Sequence, residues 1–272
     1  MNVFSIGYSM KIKALSKDEH KELRLNSDRS LDFISKLSSM AITIADLALL
    51  SSRLPVAFLK KEEGFELSLI CGVDASENLA VSLDNRKWNL GPFPSLYQFY
   101  PFVLAKKDNK FILCFDESSD RLSKKSNGER LFGADGELSE TLKGVFVRMQ
   151  HAEQLRAQTE GATQALEENG LLEEYPLELN LEGVSKKFYG IYKVAEDKLN
   201  QLSDENFLHL RRAMALPIIY LQLSSLQNVS ILARLYNMRQ EERKSTGESI
   251  SGFRRNEEKD AFRLSDEKLI KF

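Results

Sequence analysis

Alternating apolar and polar positions predict antiparallel strands joined as hairpins. After the turn at Glu63–Gly64, the apolar residues Phe65, Leu67 and Leu69 alternate with polar ones, as in a strand with one buried face. Asp108–Asn109 and Gly183 are further turn signals between strand-like runs. Three hairpins are therefore predicted: residues 55–61 with 65–72, 102–107 with 110–115, and 177–181 with 187–194.

Helical periodicity and capping residues predict five helices. They cover residues 17–25, 38–52, 138–168, 203–216 and 229–238. The apolar stripe of the third helix weakens toward Leu166, so its first half is expected to pack more firmly than its second. Pro217 is expected to kink or break the chain after the fourth helix.

The order of helices, strands, helix, strands and helices predicts an α+β fold. We expect an antiparallel sheet built from hairpins and packed against several helices. Residues 1–238 are predicted to form a single domain, because no long flexible linker divides them. Residues 239–272 carry many charges of both signs and are predicted to form a charged C-terminal tail.

Composition excludes some classes of function. Of the 272 residues, 42% are hydrophobic and 29% are charged, and the net charge is −2. This balance does not favour nucleic acid as a partner. No apolar stretch reaches the roughly 18 residues of a membrane span. The beginning of the sequence lacks a long apolar run, so we expect no secretory signal and a cytoplasmic protein.

No motif names a reaction, a metal or a cofactor. The histidines His20, His151 and His209 lie far apart and have no zinc-site spacing. Cys71 and Cys114 stand in apolar strand-like runs, where free buried thiols are expected and a bridge between neighbouring strands is the alternative. We therefore predict no metal and no cofactor, and lean against an enzyme without excluding one.

Five aromatic residues crowd the segment FPSLYQFYPF, residues 93–102, which we call the aromatic segment. Its two prolines keep it out of a helix. Phe102 begins a strand and is predicted to be core. Tyr97 and Tyr100 are amphipathic and precede the strand, so we expect them at the surface or in a pocket.

His20 and Asp46 each have a structural and a functional interpretation. Ser16 and Glu19 predict a capping box, in which His20 packs on Leu15 as a staple; the alternative is a site histidine. Asp46 lies in the apolar run 38–52, where a buried carboxylate needs a partner. An ion pair with Arg53 is one interpretation, and a functional carboxylate is the other.

Motifs spread over about residues 12–238 resemble the SapC family, which is named after a protein encoded beside the export machinery of a bacterial surface-layer protein. The quoted elements are AL before His20, LRL after it, Asp46, PVAF, ENL at 77–79, Trp88, Pro94, YPF at 100–102, CFDE at 114–117, LFGADGE at 131–137, Thr159, GLLE at 170–173 and LSSLQN at 223–228. Their order and spacing carry the resemblance more than any one of them does.

The chain departs from the family pattern just before YPF. The family usually has two arginines there, and this chain has Gln98 and Phe99; Ala14 likewise replaces a proline. Because neither Gln98 nor Phe99 is charged, any anion or acidic partner held by the arginines would lose that contact. The resemblance implies a divergent member with an altered binding edge.

Two hypotheses of function follow. The resemblance implies an accessory or interaction protein for the export or maturation of surface-layer or other surface proteins, whose partner is a secretion component or an exported protein. The alternative is an enzyme or ligand-binding protein that acts on a peptide or protein through an aromatic-lined pocket. The candidate binding residues are His20, Asp46, Trp88, Tyr97, Gln98 and Tyr100.

Overall fold

Two antiparallel sheets, of five and four strands, and one long helix organise the fold, and a three-stranded and a two-stranded sheet complete it. The computed structural model describes residues 2–3, 10–26, 30–73, 77–108, 110–125 and 127–246. The strands are β1 Asn2–Val3, β2 Ile12–Ala14, β3 Arg24–Leu25, β4 Ser39–Ala41, β5 Val56–Lys60, β6 Phe65–Ile70, β7 Phe102–Lys107, β8 Lys110–Asp116, β9 Leu122–Ser123, β10 Glu129–Arg130, β11 Leu172–Glu174, β12 Leu177–Leu181, β13 Val184–Phe188 and β14 Ile191–Val194. The helices are α1 Lys17–His20, α2 Ile44–Leu50, α3 Glu140–Glu168, α4 Glu196–Leu199, α5 Asp204–Arg212, α6 Ala215–Ser225 and α7 Val229–Thr246, with 3₁₀ turns at Asp32–Ile34, Ser95–Tyr97 and Leu226–Asn228.

The large sheet has the strand order β11-β14-β5-β6-β4, and the small sheet has the order β1-β7-β8-β2. All neighbours in both sheets are antiparallel. The hairpin β5–β6 places Phe58 opposite Leu67, and the hairpin β7–β8 places Phe102 opposite Phe115. The hairpin at Gly183, whose φ is +81°, pairs β12 with β13 at residues 184–188 and not with 187–194 as predicted. Residues 191–194 form β14, which pairs with β11 and β5 in the large sheet. The predicted α+β class with antiparallel hairpins is confirmed; Asn109, in one predicted turn, lies outside the described residues.

Each sheet has its own hydrophobic core. The main core covers the large sheet and includes Phe58 and Leu69, while the second core includes Phe102 and Phe115 of the small sheet. Helix α3 contributes to both, with Leu166 in the main core and other residues of its first half in the second. Helix α3 therefore packs against both sheets and connects their two cores.

The second half of α3 packs at least as firmly as the first, contrary to the prediction. Thr159, Ala162, Thr163 and Ala165 are all buried, together with Leu166. Small side chains let the helix axis approach the neighbouring sheet closely, and this burial leaves no strong apolar stripe in the sequence. The predicted bounds of the helix differ from the observed ones only at its beginning.

The apolar run 38–52 was predicted as one helix and forms two elements. Ser39 pairs with Ile70, so the first part is strand β4 at the edge of the large sheet, and α2 begins only at Ile44. A run without a polar face carries no period that separates a buried strand from a buried helix. Residues 39–41 form a strand because the edge of β6 offers them backbone hydrogen-bonding partners.

Helix α1 ends at His20, earlier than predicted, and the Ser16–Glu19 capping box is not formed. The Ser16 side chain makes no capping hydrogen bond. Glu19 instead forms an ion pair with Lys13 at 3.1 Å, which lowers the pKa of the Glu19 carboxyl and raises the pKa of Lys13. The exposed Lys13 competes successfully for the carboxylate that the capping box requires.

The C-terminal helices break at Met214, whose φ is +59°, and not at Pro217. Pro217 lies in the first turn of α6, where a missing N–H leaves no helical bond unmade. Helix α7 begins at Val229 as predicted but continues to Thr246, beyond residue 238, and Arg239 is buried. Residues 247–272 of the predicted tail lie outside the described residues.

One helical run in the described part of the chain, Ala215–Ser245, is long and apolar enough by length and composition to cross a membrane. It comprises α6, a 3₁₀ turn and α7. Ile218, Ile219 and Leu232 from this run are fully buried in the main core. This packed face comprises part of the run, since 39% of its apolar window is buried.

Both cysteines are free thiols and both are buried, as predicted. Cys71 is fully buried beside the end of β6, and Cys114 is buried in β8 of the other sheet. Burial raises the pKa of each thiol, so both stay protonated and unreactive at neutral pH.

Candidate functional site

The aromatic segment divides its side chains between core and surface. Tyr97 is buried in the main core, and its hydroxyl accepts a hydrogen bond from the Ala41 N–H at 3.0 Å. Burial raises the pKa of the Tyr97 hydroxyl far above its usual value. Gln98 is exposed, and its side-chain amide donates to the Phe93 carbonyl at 3.0 Å. Tyr97 thus holds the edge strand β4 in place. Of its two predicted positions, burial rules out the surface, while the side chain does border a cavity.

Tyr100 belongs to a stack of three side chains. Its ring lies parallel to the Phe33 ring with centroids 4.0 Å apart, and the Arg121 guanidinium lies 5.1 Å from the Tyr100 centroid. The Tyr100 hydroxyl donates to Asp116 at 3.3 Å. Asp116 also accepts from the Ser118 hydroxyl at 2.6 Å. The YPF and CFDE motifs therefore meet where β7 begins and β8 ends.

Trp88 and His20 serve local packing. The Trp88 indole N–H donates to the Pro92 carbonyl at 3.0 Å, and its ring meets the Phe93 ring edge-on. His20 is buried, its Nδ1 accepts from the Ser16 N–H at 3.0 Å, and its ring lies edge-on to Phe115 with centroids 5.0 Å apart. Both positions hold turns in place.

Asp46 accepts four hydrogen bonds and has no ion pair with Arg53 in the described part of the chain. The Thr43 N–H and hydroxyl donate to it at 3.0 and 2.9 Å, which closes the first turn of α2. The Ser95 N–H and hydroxyl donate at 3.1 and 2.8 Å. Asp46 thereby anchors the 3₁₀ turn of the aromatic segment to α2.

The six predicted residues do not converge on one site. Tyr97, Gln98 and Tyr100 border a cavity of about 1070 Å³ together with Arg121, whereas His20, Asp46 and Trp88 do not line it. Asn26 and Asn127, at the edges of the described ranges, are also part of its wall.

A second cavity is lined by described residues and lies where α3 crosses between the two sheets. This opening, which we call the α3 cleft, has a volume of about 650 Å³, within the range of ligand-binding clefts. Its apolar wall combines elements far apart in sequence. The apolar side chains include Ile42, Phe65, Leu67, Leu96, Phe99, Phe102, Leu104 and Met149.

Charged side chains form the rim of the α3 cleft. The Arg156 Nε donates to both carboxylate oxygens of Glu153 at 2.9 and 3.0 Å, and the guanidinium also binds Glu160. On the hairpin β5–β6, Lys61 pairs with Glu66 at 3.4 Å. Burial raises the pKa of the Glu160 carboxyl; Arg156 opposes this effect, and the negative charges of Glu153 and Glu66 add to it.

One polar atom in the cleft wall has no partner. Thr163 is 1% exposed, and its hydroxyl makes no hydrogen bond within the described residues. One turn earlier, the Thr159 hydroxyl donates to the Leu155 carbonyl at 2.7 Å and accepts from the Ile44 N–H at 2.9 Å. The Thr159 hydroxyl therefore links α3 to the beginning of α2, whereas the Thr163 hydroxyl makes no hydrogen bond within the described residues.

Replacing Thr163 with valine is expected to leave the free energy of unfolding unchanged or to raise it by up to about 1 kcal/mol, because a buried hydroxyl without a partner is removed. Thr159→Val is the matched control and is expected to lower the same quantity by about 1–2 kcal/mol, since it strands the Ile44 N–H. Urea denaturation measures both. A Thr163→Val loss as large as the Thr159→Val loss would show that Thr163 has a structural partner.

Sequence reasoning missed the residues of the α3 cleft apart from the aromatic segment itself. The spacing Glu153–Arg156–Glu160 on a predicted helix is a signal for one charged face. Nothing in the sequence placed that face opposite Phe65 or Phe99, because strands from both sheets complete the cleft.

The chemistry of the α3 cleft suits binding. Its described lining offers carboxylates, one lysine, one arginine and two threonines, but no histidine or cysteine. No group of three or more metal-ligating side chains occurs in the described ranges. An apolar wall with a charged rim buries apolar surface and orients a charged ligand.

Comparisons with known proteins give one match. The family model SapC matches residues 15–232, which is most of the chain. No curated protein matches the chain, and no solved structure does. The match includes the aromatic segment, the stack at Tyr100 and all of the residues that line the α3 cleft. The chain belongs to the SapC family.

Proposed function

We propose that this chain is an accessory binding protein in the export of bacterial surface proteins, and that it acts in the cytoplasm by holding a protein partner in the α3 cleft. The observation that carries the binding role is the cleft itself, with its apolar wall and charged rim. Family membership supports the connection with export, through the association that the SapC resemblance implies. The partner is a secretion component or an exported surface protein.

A second candidate is an enzyme that acts on a peptide or protein in the same cleft. Its support is Glu160, a carboxyl with a raised pKa at a cleft rim, which is a common property of acid–base groups. Binding is favoured because the described lining offers no nucleophile paired with a base.

A photo-crosslinking amino acid placed at Gln164 tests the proposed function in living cells. Gln164 is exposed and lines the α3 cleft, whereas the control position Gln201 is exposed and lies outside it. We expect a cross-link from residue 164, and not from residue 201, to a transporter component or an exported surface protein, identified by mass spectrometry.

A deletion strain supplies the second measurement. We expect secretion of the surface protein to fall and to be restored by the wild-type gene and by a Glu140→Lys variant, but not by a Glu160→Lys variant. Both glutamates are exposed on α3, and only Glu160 lines the cleft. Undiminished secretion in the deletion strain, together with no cross-link from residue 164, would overturn the proposal.

A further inference from the structure

The α3 cleft has an excess of negative charge. Its charged lining consists of the carboxylates of Glu63, Glu66, Glu153, Glu160 and Glu167, with Lys61 and Arg156 as cations. Lys61 is paired with Glu66, and Arg156 is shared between Glu153 and Glu160. Glu63 and Glu167 have no ion pair among the described residues. A cation entering the cleft therefore meets uncompensated carboxylates.

The acidic groups stand on both sides of the opening. Glu167 belongs to the last turn of α3, and its Oε2 lies 3.1 Å from the position of a Cβ at Gly64, in the turn of the hairpin β5–β6. Glu66 on that hairpin and Glu153 on α3 both raise the pKa of the Glu160 carboxyl. A ligand cation between helix and hairpin relieves this mutual repulsion.

Below the acidic rim the cleft is apolar and aromatic. Phe65 and Phe99 are half-buried, and Met149 is buried. Flexible methionine and aromatic side chains adapt to apolar ligand groups of different shape. Phe99 therefore contributes apolar surface to the cleft and no charge.

The wall of the cleft also contains the Thr163 hydroxyl. It is buried in the wall of the cleft and has no partner in the described part of the chain. A buried hydroxyl costs free energy unless a ligand or solvent satisfies it. A ligand amide or amine group supplies the missing hydrogen bond.

We infer that the α3 cleft binds an organic cation joined to an apolar group, as in a peptide segment in which lysine or arginine neighbours leucine or phenylalanine. The apolar group lies against Phe65 and Phe99, and the cation lies among the glutamates of the rim. This inference rests on the proposed function in placing the peptide in a protein partner, and it names the chemistry that the partner's segment must have.

Isothermal titration of the purified full chain tests the inference with three probes. They are acetyl-Leu-Lys-Leu-Lys-amide, its counterpart acetyl-Leu-Glu-Leu-Glu-amide, and phenethylamine as a free amine with an aromatic group. We expect the lysine peptide to bind, with an affinity that falls as salt rises, and the glutamate peptide not to bind. Tighter binding of the peptide than of phenethylamine identifies a peptide source, and the reverse identifies a free amine.

Three variants locate the binding. Glu160→Gln is expected to raise the dissociation constant of the lysine peptide about fivefold, which corresponds to the loss of one exposed ion pair. Thr163→Val is expected to weaken it by up to about tenfold, which corresponds to one neutral hydrogen bond. Glu140→Gln, at an exposed position of α3 outside the cleft, is expected to change nothing.

Failure of the lysine peptide and of phenethylamine to bind overturns the inference. Equal binding of the glutamate peptide overturns it as well, and so do equal affinities in Glu160→Gln and Glu140→Gln. These titrations use purified protein and defined probes, so their failure leaves the secretion experiment standing. Conversely, undiminished secretion in the deletion strain would contradict the role in export but not a measured affinity for the lysine peptide.

Discussion

Replacing Glu77 with alanine is expected to lower the free energy of unfolding by about 3–5 kcal/mol, because the buried Arg239 guanidinium then keeps only the exposed Glu242 carboxylate as an anionic partner, at 3.5 Å. The Arg239 side chain is 6% exposed and donates to Glu77 at 2.5 Å. Arg239 also donates to the Val81 carbonyl at 2.6 Å, and Arg243 donates to Glu77 at 3.0 Å. These contacts fasten α7 to the segment that follows β6. Urea denaturation followed by circular dichroism measures the loss.

Lys244→Ala is the matched control for Glu77→Ala. It removes an ion pair with Glu182 from the same helix, but both partners are largely exposed, so a change below about 1 kcal/mol is expected. The double variant Glu77→Ala/Arg239→Met removes the buried guanidinium as well and is expected to recover part of the loss. Equal denaturation midpoints for Glu77→Ala and Lys244→Ala would contradict a buried role for the pair.

Replacing Asp46 with alanine is expected to lower the free energy of unfolding by about 2–3 kcal/mol, because the cap of α2 and the anchor of Ser95 are lost together. Asp46→Asn retains one acceptor oxygen, so its free energy of unfolding is expected to fall by about half as much as that of Asp46→Ala. Asp197→Ala is the control, since that exposed carboxylate lies in the first turn of α4 and contributes mainly through the helix dipole, about 0.5 kcal/mol.

The same variant also tests how the α3 cleft is built. The turn that Ser95 begins carries Leu96 and leads to Phe99, and both line the cleft. Asp46→Ala is therefore expected to weaken binding of the lysine peptide at temperatures where the variant is still folded. Asp46 acts as a positioning residue, so Asp197→Ala is expected to leave the affinity unchanged. An unchanged affinity in Asp46→Ala would show that the turn holds its place without the carboxylate.

Local patterns predicted the elements whose stabilising contacts are themselves local. The hairpins around Gly64 and Gly183 follow from alternation and from turns that need φ above zero. The end of α3 follows from Asn169–Gly170, where Gly170 has φ +64°. The family was also predictable from the sequence, because the resemblance depends on the order and spacing of motifs.

Contacts between distant segments decided the rest. Residues 39–41 form a strand because the edge of β6 offers backbone partners, and the composition of the run contains no trace of that edge. Tyr97 was expected at the surface or in a pocket because its hydroxyl suggested one polar end, yet its side chain is buried and the Ala41 N–H satisfies that hydroxyl inside the core. The α3 cleft depends on Phe65, Phe99 and Arg156, and neither spacing nor periodicity relates their three segments.

The long helix α3 has a mechanical consequence. With 29 residues it is about 43 Å long, and the two sheets pack against different parts of its length. A ligand bound in the cleft as proposed would contact α3 together with strands of both sheets, since Phe65 and Phe102 both line the cleft. Occupancy of the cleft then resists separation of the sheets, which couples the two halves into one cooperative unfolding unit.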